Sequence, residues 1–398
     1  MNGPAVTGPF GLSTALAERE QAGLLRNRIA TDGASGGRLR VAGRDYLNFS
    51  ANDYLGLADH PAIKAAFNAG IERYGTGSGA SPLVTGYSRA HQELEETLAE
   101  WLGVQAVLLF NCGFSANQAV LKALLGKEHL LWQDKLNHAS LQEMGSQLPC
   151  KMKRFAHNDM AALERQLEPN RGLIVSEGVF SMDGDQAPWG ELAALAARSG
   201  NWLMIDDAHG LGVQGPEGRG TLAAQGVPPA SVHIQMGTFG KALGVAGAFV
   251  GGSRELVEYL VNFARHYVYS THMPAAQACA VSKSIELVRA ADESRAHLGQ
   301  LIARFRQGAK DQGWQLGASD TPIQPLLVGE SSVALQLAER LRERGVWVSA
   351  IRPPTVPVGT ARLRITLSAA HREQDVDRLL DALGVCPAAI TLGETHHG

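Results

Sequence analysis

No apolar run in this 398-residue chain is long enough to cross a bilayer as a helix. Positive charge is not in excess either: 36 Lys and Arg against 39 Asp and Glu leave a formal net charge of -3, with no basic stripe for nucleic acid and no polybasic arm for anionic lipid. Cysteine is scarce. Cys112, Cys150, Cys279 and Cys386 are widely scattered and show neither a disulfide framework nor metal-ligand spacing, so the thiols read as free and mostly buried in a reducing compartment, and no metal is expected. The opening residues, MNGPAVTGPF, do not pair a charged segment with an apolar one. The expectation is a cytoplasmic protein whose partners are small molecules, with no nucleic acid and no membrane.

What is present is a 45% hydrophobic composition, enough for a large core with a smaller companion. From about Ala106 the short apolar runs AVLLF, HLLW, LIVSEG, NWLMID, VHIQMG and AGAFVGG alternate with amphipathic segments such as ELAALAARSG. That alternation predicts an α/β fold with a mostly parallel sheet. Towards the end the style changes: two amphipathic helices, ESRAHLGQLIARFRQGAKDQG and SVALQLAERLRERG, sit among the strands IQPLLVG, WVSAI and ARLRITL, before a closing helix DVDRLLDALG. The division expected is an N-terminal segment over 1–50, with a helix STALAEREQAGLLRNR and a hairpin LRVAGRDYLNFS; a large domain over 51–285; a small α+β domain over 286–388; and a disordered tail over 389–398.

Lys241 lies in GTFGKALGVAG among four glycines, with almost no polar company. A second motif, NWLMIDDAHG, is a buried strand ending in two carboxylates and a histidine, and ligand crevices in open α/β sheets lie at such carboxyl ends. A lysine forming a Schiff base with an aldehyde cofactor needs a carboxylate to keep a pyridine nitrogen protonated, and Asp206 sits where it could supply one. Thr238, with Gly237 and Gly240, offers a hydroxyl and backbone N–H groups for a phosphate. Taken singly, Lys241 is equally readable as a residue of a flexible surface loop and Asp206 as a helix cap; their joint occurrence favours the chemistry. FNCGFSANQAVLKALL places a strand, a Gly113-Phe114 turn and a helix start in the order that suits an anion, an arrangement common on structural grounds alone. His138, in DKLNHASLQEM, follows a strand at the same mouth and could stack on a planar ring, or be an ordinary core histidine. Ser181, in EGVFSMDGDQAP, is a turn serine within reach of a cofactor oxygen, or a turn serine only.

Several long motifs in one order go further. SANDYLGL, GSGASPLVTGYSRAHQELEETLAEWLG, EGVFSMDGD, DDAHG, TFGKALG, YSTHMP and IRPPTVPVGTARLRITLSAAH together cover nearly the whole chain, which closely resembles the α-oxoamine synthase family of pyridoxal 5'-phosphate enzymes within the aspartate-aminotransferase-like fold type I. The resemblance implies a large mostly parallel-sheet domain and a smaller α+β domain. It implies pyridoxal 5'-phosphate held covalently on Lys241, with Asp206 at the pyridine nitrogen, His138 stacked on the ring, Ser181 and His209 on the phenolic oxygen side, and Gly113, Phe114 and Thr238 towards the phosphate. Ser270 and Thr271, in YSTHMP, would reach the phosphate of a neighbouring subunit, which implies a homodimer with active sites at the interface. Asn52 and Arg364 would hold the amino-acid carboxylate, and Arg26 and Thr355 would contact the acyl substrate, with His138 touching substrate as well.

NFSANDYLGL, GYSRAHQELE, FARHYVYST and AIRPPTVPVGTARLR look most like the members that condense L-alanine with a pimeloyl thioester, on coenzyme A or an acyl-carrier protein, in biotin biosynthesis. Two departures stand out: Cys112 where a small hydroxyl is familiar, and Ala242-Leu243 after the lysine where glycine and an aromatic are. A sibling using glycine or serine with another acyl-CoA would keep every cofactor residue. A catalytically silent partner subunit is the alternative of another class, and the joint presence of Lys241, Asp206 and His138 weighs against it.

Overall fold

Each apolar run of the sequence sends successive side chains to opposite faces of a strand. Leu131, Leu173, Val175 and Met204 enter one hydrophobic cluster, while their neighbours Leu130, Trp132, Ile174, Leu203 and Ile205 enter another on the opposite side. A sheet buried on both faces needs continuous rather than alternating hydrophobicity, which is what these runs show.

The computed structural model describes residues 10–33 and 36–384, so the tail expected over 389–398 and Cys386 lie outside the described residues. The strands are β1 (Arg38–Val41), β2 (Arg44–Asn48), β3 (Ala106–Phe110), β4 (Leu130–Asp134), β5 (Lys151–Phe155), β6 (Gly172–Glu177), β7 (Trp202–Asp206), β8 (Ile234–Thr238), β9 (Ala248–Gly252), β10 (Ile323–Gly329), β11 (Val346–Trp347), β12 (Ser349–Ile351) and β13 (Ala361–Thr366). The main sheet has seven strands in the order β3-β9-β8-β7-β6-β4-β5. Pairings from β8 through β7, β6 and β4 to β5 are parallel, and β9 pairs antiparallel with both β8 and β3. Helices cover both faces, giving the α/β architecture and the mostly parallel sheet that the runs predict.

A second sheet, β10-β13-β12, is antiparallel and packs with the helices Asp292–Asp311, Ser331–Glu343 and Glu373–Gly384. The N-terminal hairpin turns at Ala42 and Gly43, both at positive φ, and pairs β1 with β2. The run WVSAI is not one strand. It divides at Val348 into β11, which adds in parallel to the hairpin, and β12, which joins the small antiparallel sheet.

Two further expectations need correction, and one strand escaped the sequence reading. The first helix spans Leu12–Gln21, ends with Gly23 at positive φ and buries nothing, so Arg26 lies beyond it in irregular chain. Strand β5 was not legible, because KMKRF is an edge strand on which only Phe155 is buried. Cys112 is exposed rather than buried, whereas Cys150 is buried; Cys279 is intermediate, and none is in a disulfide among the described residues. No helix of the described residues is long and apolar enough to cross a membrane.

Helix Pro61–Tyr74 lies against helix Ala275–Arg289 through Gly70, where an added Cβ would come within 2.6 Å of the Ala276 Cα. Gly70→Val is expected to force the pair apart and cost about 1–3 kcal/mol, seen as a lowered melting temperature. Gly190→Ala, whose methyl meets open space on an exposed helix start, should melt no lower than the wild type.

Candidate active site

Parallel strands bring their carboxyl ends to one side of the sheet, so chemistry read from separate motifs converges there. Asp134, Glu177, Asp206 and Thr238 are the last residues of β4, β6, β7 and β8. His138, Ser181, His209 and Lys241 follow in the next loops. Gly113, Phe114, His138, Asp206, His209, Thr238 and Lys241 line one cavity of about 190 Å³, together with Asn117, Ser140 and Glu177.

The Lys241 loop is tightly held. Phe239 N–H donates to the Gly247 carbonyl, Val245 N–H to Phe239 and Gly244 N–H to Lys241, while Phe239, Ala242 and Leu243 are buried. Gly244 sits at φ 66° against the Leu57–Ala58 backbone, where an added Cβ would meet Ala58 N at 2.5 Å; glycine is needed for both conformation and contact. The bland alternative of a lysine on a flexible surface loop does not hold. Burial draws the Lys241 ammonium down from 10.5 to about 8, while Asp206 and Glu177 pull the other way and Arg364 adds to the lowering.

Asp206 is 4% exposed, and both its oxygens are held: Oδ2 accepts from Asn117 Nδ2 at 2.8 Å and Oδ1 from the Ala208 N–H at 3.1 Å. Asn117 also donates to Ser140 Oγ at 2.9 Å, and Ser140 Oγ lies 2.9 Å from His138 Nδ1. Because the Ser140 N–H donates to that same Nδ1, at 3.3 Å, the ring's proton belongs on Nε2. Burial lowers the His138 pKa, Asp206 opposes this and Lys241 reinforces it, so the imidazole enters the site neutral near pH 7. His209 is buried, with Nδ1 2.6 Å from the Tyr54 hydroxyl; burial, then Lys241, Arg364 and His138, push its pKa well below the ordinary value.

The helix Gly113–Leu124 starts at this cavity with no side-chain cap, leaving first-turn N–H groups for an anion. The Thr238 hydroxyl donates to the Gly247 carbonyl at 2.9 Å and accepts the Gly240 N–H at 3.3 Å, which stiffens the lysine loop. Ser181 does not line the cavity; its carbonyl accepts from Arg364 Nε at 2.7 Å. Arg364 also donates through Nη1 to Asn52 Oδ1 at 3.1 Å and Thr366 Oγ1 at 3.0 Å, so the two residues expected at the amino-acid carboxylate are in contact. Arg26 and Thr355, 329 positions apart, meet at 2.9 Å between Nη2 and Oγ1. Arg352 secures that chain segment by donating to the carbonyls of Gly23 and Leu25. The Thr271 carbonyl accepts from Asn111 Nδ2 at 2.8 Å, next to the helix start at Gly113 of the same chain.

Three polar cavity residues escaped the sequence reading: Ser140, and more tellingly Asn117 and Glu177. Glu177 stands in register beside Asp206 and is 2% exposed; burial, with Asp206 adding to it and Lys241 opposing, raises its pKa well above the ordinary carboxyl range. Its Oε1 and Asn117 Oδ1 have no hydrogen-bond partner. The only sequence signal was their position, at a strand end and one turn into the anion-facing helix. A phosphorylated pyridine aldehyde fits this donor set: an amine for the aldehyde, an anchored carboxylate for a protonated ring nitrogen, unpartnered polar oxygens around the ring and a helix start for the phosphate.

The profile of the aminotransferase class I and II family matches residues 44–383. The chain belongs to that family. It is 88% identical over 396 residues to the 8-amino-7-oxononanoate synthase of Aeromonas hydrophila subsp. hydrophila and 86% identical over 398 residues to that of Aeromonas salmonicida, in each case across 100% of both chains. Among solved structures, the serine palmitoyltransferase of S. paucimobilis with a bound PLP–myriocin aldimine superposes with a TM-score of 0.89 at 27% identity, covering 96% of this chain and 98% of that one. Fold type I and pyridoxal phosphate, expected from the motifs, are the fold and cofactor of this enzyme.

A lysine titrating near 8 is about one-tenth neutral at pH 7, roughly 300 times more than an unperturbed one. In the apoprotein, acetylation of Lys241 followed by peptide mass spectrometry should rise with pH through a midpoint near 8. A midpoint like that of exposed lysines would overturn the account of its surroundings.

Proposed function

We propose that the protein condenses L-alanine with a pimeloyl thioester, carried on coenzyme A or an acyl-carrier protein, releasing carbon dioxide and the free carrier and giving 8-amino-7-oxononanoate for biotin biosynthesis. The near-identical relatives named for that product support the reading. The structural observation that carries it is Arg364: a guanidinium only 7% exposed, close enough to depress the Lys241 pKa, and without a carboxylate partner among the described residues. A buried, hydrogen-bonded and uncompensated arginine beside a reactive amine is a receptor for a carboxylate.

Pyridoxal phosphate, when bound, supplies the electron sink that makes the Cα proton of an amino acid removable and the later loss of carbon dioxide possible. Lys241 is assigned the covalent link and, as a free amine, removal of the Cα proton, for which a pKa near 8 suits a general base at neutral pH. Asp206 accepts the ring N–H and is kept in place by Asn117 and Ala208. His138, with its proton directed to Nε2, would stack on the cofactor ring and could donate that N–H to a substrate oxygen. Gly113, Phe114 and Thr238 would serve the phosphate end and His209 the phenolic oxygen, whereas Ser181, outside the cavity, contributes its carbonyl to Arg364. Asn52 orients Arg364 at the carboxylate. Arg26 and Thr355 take the acyl chain, at the place where two distant parts of the sequence are already joined. We assign Ser270 and Thr271 to the neighbouring subunit's phosphate in a homodimer; Val84 and Tyr269, 73% and 71% exposed, offer apolar surface for that contact.

The test is product analysis by mass spectrometry with L-alanine, glycine and L-serine against pimeloyl-CoA. Alanine should dominate, and dominance of glycine or serine would transfer the protein to a sibling activity. Arg364→Ala should raise KM for alanine by about tenfold or more while moving the acyl-donor KM less than about threefold; equal effects on both would contradict the carboxylate assignment.

The acyl end has its own test. Arg26→Ala should weaken use of pimeloyl-CoA relative to a shorter acyl-CoA lacking a distal polar group by about 1–3 kcal/mol in kcat/KM. The same small loss with both donors would reduce Arg26 to a partner of Thr355.

A further inference from the structure

One charged cluster outside the cavity is tied to the turn whose Ser181 carbonyl holds Arg364. His157, just after β5, has Nδ1 3.0 Å from Asp134 Oδ1 at the end of β4 and Nε2 2.7 Å from Asp185 Oδ2 on the turn that follows β6. Both ring nitrogens face carboxylates, so both carry protons and the ring is an imidazolium. Asp134 is fully buried and is held further by the N–H groups of Leu136 and Asn158, each at 2.8 Å. Asn158 Nδ2 donates to Asp185 Oδ2 and to the Gln186 carbonyl, each at 3.1 Å. The edge of His157 meets the Phe180 ring at 4.4 Å.

The turn pinned in this way touches the carboxylate receptor, Arg364 on β13. Its backbone closes through Phe180 N–H to Asp185 and Gly184 N–H to Phe180. From the other side, Arg362 donates to Asp183 Oδ1 at 2.5 Å, Thr321 Oγ1 to the Gly184 carbonyl at 2.9 Å, and Arg364 Nε to the Ser181 carbonyl at 2.7 Å. The orientation of Arg364 therefore depends on where the Ser181 carbonyl stands. That carbonyl stands where His157 and Asn158 tie the turn to the sheet.

We propose that His157 is a positioning residue for the amino-acid carboxylate site, a charged pin that fixes the 181–186 turn and, through the Ser181 carbonyl, the guanidinium of Arg364. The inference rests on the reading of Arg364 as the carboxylate receptor. Burial works against the charged ring, but the hydrogen bonds and charges of Asp134 and Asp185 outweigh it and raise the His157 pKa from 6.5 to about 10. The charged groups facing the ring are those two carboxylates; Asp183, on the same turn, is taken by Arg362.

A folded pKa raised above the unfolded one stabilises fully below about pH 6.5 and loses its contribution as pH rises through about 10. The melting-temperature gap between wild type and His157→Gln should accordingly be widest at pH 6.5 and narrow towards pH 10; a gap constant across that range would overturn the charged pin.

The kinetic test uses His157→Gln and, in case that protein folds poorly, Asp185→Asn, which cuts only the turn side of the bridge. In the holoenzyme each should raise KM for L-alanine by about fivefold to tenfold and leave kcat and the acyl-donor KM within about twofold. Unchanged alanine KM in a folded variant, or an equal loss for both substrates, overturns the proposal. Arg364→Ala in parallel separates the two claims: if it also spares the alanine KM, the receptor has been misassigned, and if it alone raises that KM, the receptor stands and the pin falls.

Discussion

One ammonium has to share a buried cavity with two neighbouring carboxyl groups, and much of the site follows from how that is settled. Burial penalises every charge, so the stable arrangement keeps few of them. Glu177 and Asp206 lie side by side in register on adjacent strands, but N–H donors reach both oxygens of Asp206, whereas one oxygen of Glu177 has no partner. Hydrogen-bond donors converge on Asp206, and burial raises the pKa of Glu177. Burial outweighs the pull of both carboxyl groups on Lys241, and Arg364 adds to it, which leaves its amine easier to neutralise than an ordinary lysine. The two histidines are held neutral by the same burial and by the cations around them.

Hydrogen bonds rather than further charges give this balance its geometry. Asn117 joins the helix that begins at the anion site to the strand end that bears Asp206, and through Ser140 to His138. Three secondary-structure elements are thus registered by a single amide. Preorganised donors and acceptors need not reorganise when charge develops, and a cavity built in this way can lower a barrier without moving.

The sheet was largely legible because its runs are continuous and apolar, and strand ends followed by glycine, serine or histidine announced the crevice. Edge strand β5 was not, since its exposed lysines and arginine carry no core pattern. The reading of WVSAI as one strand failed at Val348, where hydrogen bonding passes from the hairpin to β13 although the residue pattern is unbroken. The first helix was carried past Gln21 by apolar residues that in the fold cover no core. Motif resemblance named Lys241, Asp206, His138, Asn52 and Arg364 as candidates; Asn117 and Glu177 had no local sign. A buried asparagine in a helix and a glutamate at a strand end are ordinary until a third residue is seen beside them, and that proximity is tertiary.

The two ends of the site rest on different parts of the fold. Residues around the cofactor stand on strand ends and on the loops next to them, fixed by a sheet buried on both faces. The substrate end is assembled from segments that the sheet does not own: Arg364 on β13, Asn52 after the hairpin, Thr355 in a loop and Arg26 in irregular chain held by Arg352. Arg26 and Thr355 can be exchanged without disturbing the ammonium and its two carboxyl groups, because no core cluster depends on them. A serine palmitoyltransferase of the same fold at 27% identity is what such a division permits. The buried sheet holds the groups around Lys241, and the Arg26 and Thr355 segments can vary at little cost to the fold, whereas Arg364 is fixed by the buried strand β13.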